Sequence, residues 1–101
     1  MNYLKKANGN IPRSSAERQN IIENAAAAYA KYMNALGIDF TSDPHSADTP
    51  MRVAKAFVND IAKGCYMDPP NITAFENTDN YDGMVCQNDI KVVSLCSHHH
   101  L

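Results

Sequence analysis

The residues best placed to do chemistry stand at the end of the chain, in the run Ser94-Leu95-Cys96-Ser97-His98-His99-His100-Leu101. A thiolate and an imidazole three residues apart, coming off an extended segment into a turn, can grip one zinc ion from the same side. Zinc favours such sulfur and nitrogen donors and usually takes three or four protein ligands. Three successive histidines cannot all face one ion, so at least one is free to carry a proton near neutral pH. The run is also readable as a tag remnant or a solvated tail. Cys65 and Cys86 are candidates for a third ligand, and each reads equally well as a small buried apolar residue.

A second constellation is Asp48-Thr49-Pro50-Met51-Arg52-Val53-Ala54-Lys55. Arg52 falls in the first turn of an expected helix, and Lys55 follows on the same face. Cations at a helix N-terminus oppose the macrodipole. That placement makes sense if an anion meets them there, where free backbone N–H groups also point. The alternative is a solvated face on which Asp48 simply pairs with Arg52.

Two helices are expected to position these groups. Ser14-Ser15-Ala16-Glu17 has the form of a capping box. Ile22, Ala26, Tyr29, Met33 and Leu36 then recur at one-face spacing, and Gly37 suits the residue that closes a helix. The pattern predicts a helix over Ser15–Leu36, with the run Ala25–Ala28 suited to close helix–helix approach. Ile38–Asp48 reads as a loop, with a turn at Asp43-Pro44. A second helix is predicted from Thr49 as N-cap and Pro50 at its first position, through Lys63, with Gly64 closing it. Its expected buried stripe is Val53, Phe57, Val58 and Ile61. Asp68-Pro69-Pro70 excludes regular helix, and Asn77–Gly83 reads as a polar turn region. Met84–Cys86 and Ile90–Leu95 are rich in β-formers and predict one or two strands, with a hairpin or bulge around Gln87-Asn88-Asp89. Helices first and strands after give an α+β class. The divisions are a flexible arm at 1–13, a helical part at 14–76, and the start of an antiparallel sheet with the metal motif at 77–101, all in a single incomplete domain.

Composition narrows the function classes. The formal net charge of −2 across 101 residues gives no basic field to attract nucleic acid. No apolar run approaches the ~20 residues a bilayer span needs. The basic start Met1–Lys6 leads into Ala7-Asn8-Gly9-Asn10, not an apolar stretch, which is unlike a secretory signal. Three cysteines suggest thiols or a metal in a reducing compartment, with cytoplasm as the default. The polar arm and turn region leave little to bury, so self-association or further sequence is expected.

At these motifs the sequence resembles GTP cyclohydrolase I. The matching elements are Thr49-Pro50-x-Arg52-Val53-Ala54-Lys55 with Phe57, then Gly64, Asp82-x-Met84-Val85, Asp89-Ile90 and Ser94-x-Cys96-x-His98-His99. The resemblance spans residues 15–101. It implies Cys96 and His99 as zinc ligands, His98 as the catalytic acid/base, and Arg52 and Lys55 as holders of the substrate triphosphate. It also implies zinc-dependent conversion of GTP to 7,8-dihydroneopterin triphosphate and formate, the first step of tetrahydrofolate and pterin synthesis. The implied fold is the tunnelling fold, an antiparallel sheet with helices on one side, assembled into a homodecamer with sites between subunits. Ser97 stands where the family often carries glutamate, and His100 where it usually carries an apolar residue. The family's third zinc ligand and guanine-anchoring glutamate lie further downstream. The expectation is therefore that these residues form the amino-terminal half of such an enzyme, inactive alone. Two other readings remain: a zinc-independent nitrile reductase of the same fold, using a cysteine nucleophile, and a non-catalytic helical module that associates with partner subunits and binds metal incidentally.

Overall fold

The computed structural model describes residues 3–101. Helix α1 runs Ser15–Ala35, with Ser14 as N-cap. The capping box forms in both directions: Glu17 N–H donates to Ser14 Oγ at 3.1 Å, and Ser14 N–H donates to Glu17 Oε1 at 3.0 Å. At the other end Gly37 takes φ +84°, its N–H donates to Asn34 O, and Ile38 N–H donates to Met33 O. This paired closure needs a left-handed residue, which glycine supplies without a Cβ penalty. Of the expected face, Ile22, Ala26 and Met33 are buried, whereas Leu36 is 59% exposed beyond the last turn.

The connecting loop turns on Asp43, whose carboxylate accepts from His45 N–H at 3.0 Å and Ser46 Oγ at 2.8 Å. Phe40, in the same loop, is buried.

Helix α2 covers Thr49–Ala56, and its N-cap is Asp48 instead of the expected Thr49. The predicted continuation to Lys63 is not a single α-helix. Phe57–Ile61 form a π-helical turn, and a 3-10 turn follows at Lys63–Cys65. Ala62 N–H reaches back to Phe57 O, five residues away. Gly64 therefore sits inside the 3-10 turn and is not a helix-closing residue. Of the expected stripe, Val58 is buried and Phe57 half-buried. Pro50, Ala54 and Val58 are buried, while Val53 and Ile61 are 37% and 38% exposed. Ile22 and Ala26 of α1 meet Ala54 and Val58 in one cluster, with Phe57 and Tyr66 packed at its border. Small residues on both helices allow this close approach, so burial follows shape complementarity more than side-chain size.

The amino-terminal arm lies along the end of the second helical segment. Ile11 N–H donates to Cys65 O at 3.1 Å and Arg13 N–H to Tyr66 O at 2.8 Å. The Asn10 side-chain amide donates to Gly64 O and Met67 O. Lys5 lies over the Tyr66 ring and Arg13 over that of Tyr3, at 5.5 and 5.3 Å.

The expected strands do not form: among the described residues there is no β-strand. Met84, Val85 and Val92 are 83%, 84% and 80% exposed. A strand is stabilised by a partner's ladder of hydrogen bonds and by an apolar face to cover its side chains. Neither meets residues 84–95 here, so β-forming composition alone leaves them extended. The Asn77–Gly83 turn is present, closed by Tyr81 N–H to Asn77 Oδ1 at 3.0 Å and Asn77 Nδ2 to Tyr81 O at 2.7 Å.

Candidate metal and anion site

After Leu95 the chain makes a tight turn. His100 N–H donates to Cys96 O at 2.8 Å and Cys96 N–H donates to Leu101 O at 3.3 Å. The turn brings Cys96 Sγ within 3.3 Å of His98 Nδ1. The rings of His98 and His99 are neighbours, with centroids 6.4 Å apart. Cys96, His98 and His99 are all exposed, so their donor atoms are open to an ion from solution. The thiol thus faces His98, not the His99 named from the resemblance.

The fit to zinc is partial. One thiol and adjacent imidazoles are the donor chemistry zinc prefers, and the turn holds two such donors within contact. A complete set is not assembled: among the described residues no three His, Cys, Asp or Glu side chains are grouped to hold an ion. Of the two further cysteines, Cys65 shares a cavity of about 690 Å³ with Cys96, whereas Cys86 is exposed and lines neither described cavity. Tyr66, on the same cavity, has its phenol pushed above the usual tyrosine range by burial and then by neighbouring Cys65.

The anion-site residues lie at the start of α2. Arg52 Nη2 is 3.7 Å from Asp48 Oδ2, and both side chains are largely exposed. An exposed pair of this kind contributes about 0–1 kcal/mol and leaves the guanidinium available to a stronger anion. Lys55, one turn on, is exposed. Neither Arg52 nor Lys55 lines the cavities bordered by the Cys96 turn. The two constellations are therefore not brought together by these residues. Sequence reasoning missed His100, whose ring reaches Phe57 at 6.1 Å. Its only sequence signal was its departure from an apolar position.

A family model described as GTP cyclohydrolase I matches residues 25–101, which takes in α2, the π-helical turn and the whole Cys96 turn. The chain belongs to the GTP cyclohydrolase I family. Curated proteins named GTP cyclohydrolase 1 are similar to it. The Aeromonas salmonicida protein is 43% identical over 68 residues, covering 66% of this chain and 31% of the relative. The Mannheimia succiniciproducens protein is 37% identical over 90 residues, covering 88% and 39%. One from Shewanella baltica is 38% identical over 87 residues, covering 85% and 38%. The chain thus spans about a third to two-fifths of the length of these relatives. No solved structure matches it significantly. No helix of the described residues is long and apolar enough to cross a membrane.

Proposed function

We propose that this chain supplies the amino-terminal part of a zinc-dependent GTP cyclohydrolase I of the tunnelling fold. In this reading it carries two of the zinc ligands, Cys96 and His99, and the acid/base His98. Arg52 and Lys55 hold the triphosphate of GTP, and the product is 7,8-dihydroneopterin triphosphate with formate. The observation that supports the reading is the Cys96–Leu101 turn, which gathers one thiol and neighbouring imidazoles inside a span that the family model matches.

Zinc, when bound, supplies Lewis-acid polarisation and a more acidic water for attack on the purine. Cys96 would contribute a thiolate donor and His99 an imidazole donor, an arrangement that requires the turn to present His99 where His98 faces the thiol here. His98 would then be the exposed imidazole that takes and returns a proton. Arg52 exchanges its weak Asp48 partner for phosphate oxygens, and Lys55 adds a second charge on the same helix face. The third metal donor, the guanine contacts and the sheet that covers residues 84–95 come from further sequence or from other subunits, in a homodecameric assembly. Neither nucleic acid nor membrane is a partner in this reading, and the compartment is the cytoplasm.

Zinc content of His98→Ala and His99→Ala separates the two histidine roles. The expected result is loss of zinc in His99→Ala and retention in His98→Ala. Loss in His98→Ala alone reverses the assignment, making the Cys96–His98 pair the ligand pair.

A further inference from the structure

The hydrogen bonds of the Cys96–Leu101 turn fix its shape but not its place on the molecule. Leu95 and His100 both line cavities with Phe57 and Tyr66, and His100 adds a ring contact. The ring of His100 lies 6.1 Å from that of Phe57, tilted by 36°. This is the one aromatic contact, among the described residues, between residues 68–101 and the helical part. Phe57 is a sound anchor, since it borders the Ile22, Ala26, Ala54 and Val58 cluster and also meets Tyr66 at 6.5 Å. His100 stands at φ +60°, a left-handed conformation that histidine tolerates better than most residues. With Phe57 it lines both described cavities, of about 690 and 520 Å³. The backbone of His100 closes the turn while its ring reaches the helical part.

We propose that His100 is a positioning residue: its ring docks the turn on Phe57 and so fixes Cys96, His98 and His99 relative to the helices. The docking is independent of any ion, whereas its effect on metal affinity rests on the zinc reading above. Groups that orient ligands commonly govern affinity without touching the metal.

Two readouts on the 101-residue chain test this. The first is the nuclear Overhauser contact between the His100 and Phe57 rings in metal-free protein. The second is cobalt(II) titration, followed by thiolate-to-cobalt charge-transfer absorption. His100→Asn removes the ring and keeps a residue that accepts the left-handed backbone, while His100→Phe restores a ring. The native chain is expected to show the ring contact. His100→Asn is expected to bind cobalt about two- to tenfold more weakly, in line with the worth of one aromatic pair. His100→Phe should recover most of that loss, and helix content should stay unchanged throughout. Absence of the ring contact overturns the proposal, as does native-like cobalt affinity in His100→Asn or failure of His100→Phe to recover it. A ring contact without cobalt uptake by the native chain removes the zinc reading and supports the docking.

Discussion

Val58 and Val53 lie five residues apart in the second helical segment, and truncating each to alanine measures which face meets α1. Val58 is 1% exposed and belongs to the cluster with Ile22, Ala26 and Ala54. Val58→Ala removes two buried methylene equivalents, about 1.6 kcal/mol of transfer free energy. The cavity left behind adds to this and better helix propensity subtracts from it, for a net loss of about 2 kcal/mol. Val53 is 37% exposed, so the same substitution loses about 1 kcal/mol and regains about half of that through alanine's helix propensity. Urea denaturation followed by far-ultraviolet circular dichroism reads both. With a slope of about 1 kcal/mol/M, suited to a small folded unit, the midpoint should fall by about 2 M for Val58→Ala and about 0.5 M for Val53→Ala. Equal shifts, or a larger one for Val53→Ala, would refute the packing described here. The packing would then centre on Val53 and not on Val58, although spacing alone places both on one stripe with Phe57 and Ile61.

Ser14→Ala should cost about 1 kcal/mol through loss of its cap, read as a lower thermal midpoint of the α1 signal. Backbone and side-chain hydrogen bonds from Ser14 hold the Glu17 carboxyl below its usual range, with Arg13 adding to the effect. Its contribution is therefore present above the ordinary glutamate pKa and fades as pH falls through the lowered folded value. Glu17→Gln should flatten that acid limb in a pH series of thermal melts. Arg52→Ala should leave the urea midpoint nearly unchanged, because the Asp48 partner is exposed. The same variant should weaken binding of inorganic triphosphate severalfold by calorimetry, and unchanged binding would remove Arg52 from the anion site.

The legible parts of the fold are those set by local chemistry. Ser14 with Glu17 and Gly37 with Ile38 satisfy backbone groups that every helix end leaves free, so both limits of α1 can be read from residue type. The buried face of α2 is less legible because it is built on Ala54, a residue indifferent to burial, in place of the larger Val53 and Ile61. The π-helical turn at Phe57–Ile61 leaves no mark in the spacing and shifts the register of the residues after it. The strands at 84–95 illustrate a different limit. Their composition is right, but a strand is a property of a pair, and the pair is not present among the described residues.

At the site, donor types and order were readable, since thiolate and imidazole are the donors zinc favours. Which histidine faces the thiol was not, because a turn can direct either one and only its hydrogen bonds decide. Here they bring His98 to Cys96. The separation of Arg52 and Lys55 from the Cys96 turn is a tertiary fact that no local pattern carries.

Whether the Cys96 turn is a metal site is decided by elemental analysis of the gently purified chain, with Cys96→Ala as control. Close to one zinc per native chain is expected, lost in the variant, with the third donor supplied by a neighbouring chain. Native protein with little or no zinc, or zinc that persists in Cys96→Ala, would contradict the metal-site reading.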